Sequence, residues 1–208
     1  MSYIQFRDAL HDFEIFSIRD IAKLFPEFDS RRLVEWQQKG YIQKLINKWY
    51  LFTDITMDDW LRFRISNCLC RPSYISLESA LSWHHFIPEG VYTIQNITTR
   101  KTIIYETPIG SFQYRSIKPS LYFGYHVART NGVPKLIAEP EKAILDFLYL
   151  SPRIETMADM EGLRLNSIEL NNNIDWEKLK KYVVCFESAA LNKRVTLLYK
   201  LKSHAVTS

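Results

Sequence analysis

Residues 29–52, DSRRLVEWQQKGYIQKLINKWYLF, place a helical pattern directly before two β-rich runs. Asp29 or Ser30 can accept a hydrogen bond from a free amide of a first helical turn, which predicts a helix from there to about Lys39. Gly40 then stands where helices commonly end with a left-handed residue. Residues 29–52 are therefore the main clue to the fold of the first part of the chain.

The two runs after this helix predict a β-hairpin. Residues 41–46 and 49–52 are rich in Ile, Leu, Trp, Tyr and Phe, and Asn47 and Lys48 separate them. Asn47 tolerates the positive φ that a two-residue turn requires. Lys44 and Lys48 place positive charge on this hairpin.

The predicted helix has two chemically different faces. Leu33, Val34 and Trp36 are expected to be buried, because residues three and four apart share a helix face. The opposite face is expected to carry Arg31, Glu35 and Gln38, with Arg32 and Lys39 at its sides. Arg suits guanine, Gln suits adenine and Glu suits cytosine in the major groove of DNA.

Two further helices are predicted upstream of this one. Residues 4–13 have a near-helical apolar spacing. Ser17 is a predicted cap for a helix over residues 18–25, with Asp20 completing a capping box, and Pro26 ends it.

Helix, helix, outward-facing helix and hairpin, in this order, predict a winged helix-turn-helix DNA-binding domain over residues 1–55. The expected DNA contacts are Ser30, Arg31, Arg32, Glu35, Gln38, Lys39, Lys44, Asn47 and Lys48. Two alternatives remain: a polar helix face can be merely solvated, and some winged helices bind protein rather than DNA. In the second case the chain would bind and inhibit a partner without a specific DNA site.

Residues 56–208 predict an α+β domain with an antiparallel sheet and C-terminal helices. Four runs between residues 91 and 127 are rich in β-branched and aromatic residues. Residues 140–150 return to a helical spacing, and Pro140 favours a helix start there. Glu141 and Asp146 are expected on the solvent side of this helix.

Composition permits an anionic partner and indicates a globular protein. Hydrophobic residues make up 47% and charged residues 24% of the 208 residues, with a formal net charge of +4. A second basic stretch near the C-terminus comprises Lys178, Lys180, Lys181, Lys193, Arg194, Lys200 and Lys202. The N-terminus lacks a signal-peptide pattern and no run suits a membrane helix, which predicts a cytoplasmic protein.

No enzymatic motif is evident. The sequence contains no phosphate-binding loop, nucleophile elbow or HExxH pattern. Glu78, Glu106 and Lys118 could form a nuclease-like set, but their spacing matches no metal-nuclease motif. The odd number of cysteines, with a Cys-Leu-Cys spacing at Cys68 and Cys70, indicates free thiols. We therefore expect no catalytic residue, metal or cofactor.

Several stretches together resemble the AbiEi antitoxins of bacterial type IV toxin–antitoxin systems. They are Tyr74-Ile75-Ser76 with Ala80-Leu81 and His84, Ile87-Pro88-Glu89-Gly90-Val91-Tyr92, Glu106-Thr107-Pro108 to Gly110, Tyr114-Arg115 to Ile117-Lys118-Pro119, and Glu139-Pro140-Glu141-Lys142-Ala143. The resemblance spans nearly the whole chain, because that family also begins with a winged helix. His85 departs from it, since the family often has a small residue there.

The resemblance implies a two-domain autorepressor and antitoxin of an abortive-infection system for phage defence. Its first half would bind inverted repeats in its own promoter, with possible cooperative self-association on DNA. Its second half would counter a nucleotidyltransferase-like toxin, without a stable complex between the two proteins.

Overall fold

The chain alternates short helices and strands. A computed structural model describes residues 1–88, 90–130 and 133–206. The helices are α1 (Tyr3–Leu10), α2 (Ile18–Leu24), α3 (Arg31–Gln38), α4 (Asp59–Leu69), α5 (Leu77–Trp83), α6 (Pro140–Leu150), α7 (Met157–Gly162), α8 (Ser167–Asn173), α9 (Trp176–Phe186) and α10 (Ala189–Val206). The strands are β1 (Ile15–Ser17), β2 (Ile42–Ile46), β3 (Trp49–Phe52), β4 (Ser73–Ile75), β5 (Ile94–Thr98), β6 (Ile103–Thr107), β7 (Gly110–Ser116), β8 (Tyr125–Thr130) and β9 (Val133–Ala138).

Serine side chains cap the N-termini of the first two helices. The Oγ of Ser2 accepts from the amide of Gln5 at 3.3 Å, and the Gln5 side chain accepts from the Ser2 amide at 2.9 Å. Ser17 and Asp20 form the same reciprocal pair at the start of α2. The predicted capping box is therefore confirmed, since these bonds satisfy amides that a helix leaves free.

The first sheet has the order β1-β3-β2, and all its pairs are antiparallel. The predicted hairpin is present as β2 and β3. Strand β1 was not expected, because three residues are too few to show a two-residue period. The stretch predicted as a single helix over residues 4–13 divides into α1, which ends at Leu10, and a 3-10 turn over His11–Phe13, and β1 follows this turn.

Both faces of this small sheet are buried. Phe16, Tyr50 and Phe52 pack with the three helices in an aromatic cluster. Leu45 and Leu51 face the other way and belong to the large core of the second half. Alternate side chains of a strand point to opposite faces, so the sheet lies between the two clusters. The division at residue 55 stays a prediction.

The second sheet has the order β6-β7-β5-β4-β9-β8. Its pairs are antiparallel except for β4 with β9 and β5 with β7, which are parallel. A simple antiparallel meander would pair consecutive strands, but β7 instead of β6 lies beside β5. The mixed α and β content, the antiparallel pairs and the C-terminal helices agree with the sequence-based expectation.

Helix α6 lies in the middle of the second half, in contact with α5, α9, α10 and β9. Glu141 is 3% exposed and Asp146 is fully buried, so the expectation that they face solvent is wrong. The cause is that helices pack around α6 on several sides. None of the helices in the described ranges is long and apolar enough to cross a membrane.

Candidate nucleic-acid interface

Helix α3 is anchored by two inward side chains. Leu33 and Trp36 are 3% and 2% exposed. The Trp36 ring packs against the rings of Phe6, Tyr3 and Phe28, with centroids 4.6, 5.5 and 5.8 Å away. These contacts fix the rotation of α3 about its axis, and therefore which side chains point outward.

The outward face of α3 is open. Arg31, Glu35, Gln38 and Lys39 are exposed and Arg32 is half-buried. The side chain of Arg31 is 90% exposed, so it does not pack against the second half of the chain. The sequence placed these five residues on the outer side of the helix, and the structure agrees.

The prediction for Val34 is wrong. Val34 was predicted to be buried with Leu33 and Trp36, but it is 56% exposed. Successive helical residues are rotated by about 100°, so a two-residue anchor leaves its neighbour outside. Val34 is thus an apolar member of the outward face that the sequence interpretation missed.

Asp29 holds Arg31 at the start of the helix. Its Oδ1 accepts from the Arg31 amide at 3.0 Å, and both carboxylate oxygens accept from Arg31 Nε at 3.0 Å. The side-chain hydrogen bond from Arg31 lowers the pKa of Asp29 below its usual value. Ser30 occupies the N-cap position but makes no side-chain capping bond. Asp29 therefore supplies the local acceptor.

Glu35 and Lys39 form an ion pair one turn apart. Lys39 Nζ lies 2.6 Å from Glu35 Oε1. The hydrogen bond from Lys39 lowers the pKa of Glu35 and raises that of Lys39. In the protein alone, two cations of α3 therefore lie beside carboxylates. If a polyanion binds to these cations, its anionic groups must replace the carboxylates as their partners.

The hairpin presents polar groups beside the start of α2. Lys44, Asn47 and Lys48 are exposed. Lys48, with φ of 70°, is the turn residue that adopts the left-handed conformation, so the expectation for Asn47 is wrong. The strands also change register between Lys44 and Ile46, and Ile46 pairs with Trp49 across the two-residue turn. The Lys48 carbonyl accepts from the Ile18 amide at 3.0 Å and joins the turn to α2.

Helix α2 adds two exposed cations that were not assigned from the sequence. Arg19 and Lys23 stand four residues apart on the solvent side. Side chains at this spacing share one helix face. The sequence could have indicated this, because Arg19 and Lys23 lie four residues apart in the helix that Ser17 caps. Part of α2 is therefore cationic and exposed, as are α3 and the hairpin.

The three residues of the nuclease-like set lie on separate elements. Glu106 accepts from the hydroxyl of Ser111, its cross-strand partner, at 2.5 Å. Glu78 lies on α5 and Lys118 precedes the 3-10 turn Pro119–Leu121. Within the described ranges no three His, Cys, Asp or Glu side chains are grouped so that they could hold a metal ion.

A buried polar network occupies the second half instead. Asp146 accepts from the hydroxyls of Tyr74 and Ser76 at 2.9 Å and pairs with Lys142. Burial lowers the pKa of Lys142 and raises that of Asp146. Both side chains are fully buried. This network joins β4 to α6.

Three of the seven cations in the C-terminal basic stretch are engaged in contacts between parts of the protein. Lys178 pairs with Glu139 and Glu141 at 3.1 and 3.2 Å. Arg194 donates to three backbone carbonyls, and Lys202 lies 4.0 Å from the centre of the Trp176 ring. These cations hold helices together, so this stretch is a weaker anion-binding surface than its composition indicates.

The region of α2, α3 and the hairpin carries exposed cationic and amide side chains of the kinds that DNA-binding proteins use. It also has the shape of a helix beside a β-ribbon. No model of a known protein family matches this chain, and no curated protein sequence matches it significantly.

Proposed function

We propose that residues 1–55 act as a winged helix-turn-helix that places α3 in the major groove of double-stranded DNA. One observation carries the proposal. The face of α3 that bears Arg31 is open, while Leu33 and Trp36 fix the helix from behind. A major groove about 12 Å wide admits an α-helix.

The contacts divide by chemistry. Arg31, Glu35 and Gln38 are the groups that read base edges. The phosphate contacts come from side chains around them: Ser30, Arg32, Lys39, Lys44, Asn47 and Lys48, joined by Arg19 and Lys23 of α2. Phosphate neutralisation supplies affinity, and base contacts supply sequence choice.

We propose further that the chain is an autorepressor and antitoxin of the AbiEi type. It would bind inverted repeats in its own promoter, and its second half would counter a nucleotidyltransferase-like toxin without a stable complex. The support is the sequence resemblance. Two of its stretches meet in the fold, since Tyr74 and Lys142 join through a hydrogen bond of 2.9 Å.

A mobility-shift titration of the full chain on DNA from upstream of its own gene tests the DNA-binding proposal. Arg31→Ala should weaken binding roughly 10- to 100-fold. Lys193→Ala, which removes an exposed cation from α10, should leave it unchanged. Affinity of the wild type should fall steeply with salt. Equal binding of upstream and unrelated DNA at all salt concentrations would exclude a repressor.

Co-expression with the product of the neighbouring gene tests the antitoxin proposal. If that product is toxic, the wild-type chain should restore growth, and Arg31→Ala should restore it too, because neutralisation is assigned to the second half. A stable stoichiometric complex on co-purification, without a promoter shift, would instead favour direct inhibition through binding.

A further inference from the structure

The outward face of α3 includes an apolar side chain among polar ones. At about 100° per residue, Arg31, Val34, Glu35 and Gln38 fall within an arc of about 100° on the helix surface. Leu33 and Trp36 lie on the opposite side. Val34 therefore belongs to the same strip as the three groups proposed to read bases, and it is 56% exposed.

Two neighbours of Val34 in this strip have polar partners of their own. Arg31 pairs with Asp29 and Glu35 pairs with Lys39. The apolar surface of an exposed valine contributes no favourable free energy while it is in contact with water. It stabilises a complex only where another apolar group covers it. In the major groove the one apolar group at base edges is the C5-methyl of thymine.

We infer that Val34 contacts the methyl group of a thymine and makes the protein prefer a T·A pair at that position. The inference rests on the proposed DNA-binding function and adds a specificity determinant to it. Burial of about one methyl group against Val34 changes affinity about fourfold.

Replacing thymine by uracil in the DNA removes this methyl group alone. Upstream DNA is amplified with dUTP in place of dTTP, and binding is measured for the wild type and for Val34→Ala. The wild type should lose about fourfold in affinity on uracil DNA. Val34→Ala should bind ordinary DNA about fourfold more weakly and should show no further loss on uracil DNA.

A matched control is Val184→Ala, since Val184 of α9 is an exposed valine at 75% away from the proposed interface. This variant should keep the uracil sensitivity of the wild type. Single thymine replacements then locate the base pair. Thermal unfolding checks that Val34→Ala stays folded, which its exposure favours.

Two results would overturn the inference while leaving DNA binding intact. One is a wild type that binds both DNAs equally, and the other is a Val34→Ala variant as sensitive to uracil as the wild type. The second result would assign the uracil effect to DNA shape or another residue. Failure of the wild type to bind upstream DNA at all would overturn the proposed function together with this inference.

Discussion

Asp29 and Arg31 form a closed local contact at the start of α3, in which one carboxylate accepts from both the backbone amide and the guanidinium of Arg31. The side chain of Arg31 is nevertheless 90% exposed. The guanidinium is thus held in position yet faces solvent. In a DNA complex, Asp29 would compete with a base or phosphate for the same donor groups.

Asp29→Asn should therefore tighten DNA binding. The amide oxygen of Asn can keep the acceptor role toward the helix amide, while the negative charge near the phosphates disappears. We expect an affinity several-fold higher than that of the wild type in a mobility-shift titration. Asp12→Asn makes the same charge change at an exposed site outside this contact. If both variants gain the same DNA affinity, the change in net charge alone explains the effect. The competition between Asp29 and DNA for Arg31 is then refuted.

Lys48→Gly should separate stability from binding. Lys48 adopts a φ of 70°, a conformation that costs a residue with a side chain about 1 kcal/mol and costs glycine little. Urea unfolding should show a stabilisation of up to about 1 kcal/mol, because the turn is relieved of strain. DNA affinity should fall and the salt dependence should become shallower, because one cation is lost. A variant that binds DNA as well as the wild type would remove Lys48 from the interface.

Local signals account for most of what could be predicted from the sequence. The Ser17 cap, the anchoring of α3 by Trp36 and the hairpin depend on residues close together in the chain. The burial of Asp146 could not be predicted from residues close to it in the chain. Its partners Tyr74 and Ser76 are 72 and 70 positions away, and a charged residue at a helical spacing looks the same whether neighbouring helices cover it or not.

The prediction that Val34 is buried was wrong for a related reason. Its apolar character suggested burial, but only tertiary packing decides how wide the buried stripe of a helix is. The positive φ of the hairpin turn falls on Lys48 and not on Asn47, although Asn is the residue type that tolerates it better.

Lys142→Met should strongly destabilise the second half. It leaves the Asp146 carboxylate buried without its counter-ion, which typically costs 3–5 kcal/mol. The double variant Lys142→Met with Asp146→Leu should recover most of that loss, because no uncompensated charge remains. Urea unfolding measures both, with Lys193→Met as an exposed control. A single variant as stable as the wild type would show that Asp146 is already neutral in the folded protein.

Lys135→Met should stabilise the protein at neutral pH. The Lys135 side chain is 2% exposed, and its Nζ lies 3.5 Å from the centre of the Trp60 ring. Burial lowers the pKa of Lys135 from 10.5 to about 8, although Glu14 and Asp58 oppose this change. The loss of hydration therefore outweighs the attraction of the two carboxylates. Methionine retains the apolar stem without the charge.

The sign of the pH dependence follows from the lowered pKa. Below about pH 8 both states carry the proton, and the full cost of the buried charge destabilises the wild type. As the pH rises from 8 toward 10.5, the folded state has released its proton while the unfolded state still holds it, so stability increases. Lys135→Met should thus exceed the wild type by about 1–3 kcal/mol at pH 7, and the difference should narrow by pH 10. Lys118→Met, at an exposed site, should show no such difference. If Lys135→Met is less stable than the wild type at pH 7, the contact with Trp60 outweighs the cost of burial, and Lys135 stabilises the junction between β9 and α4 through its charge.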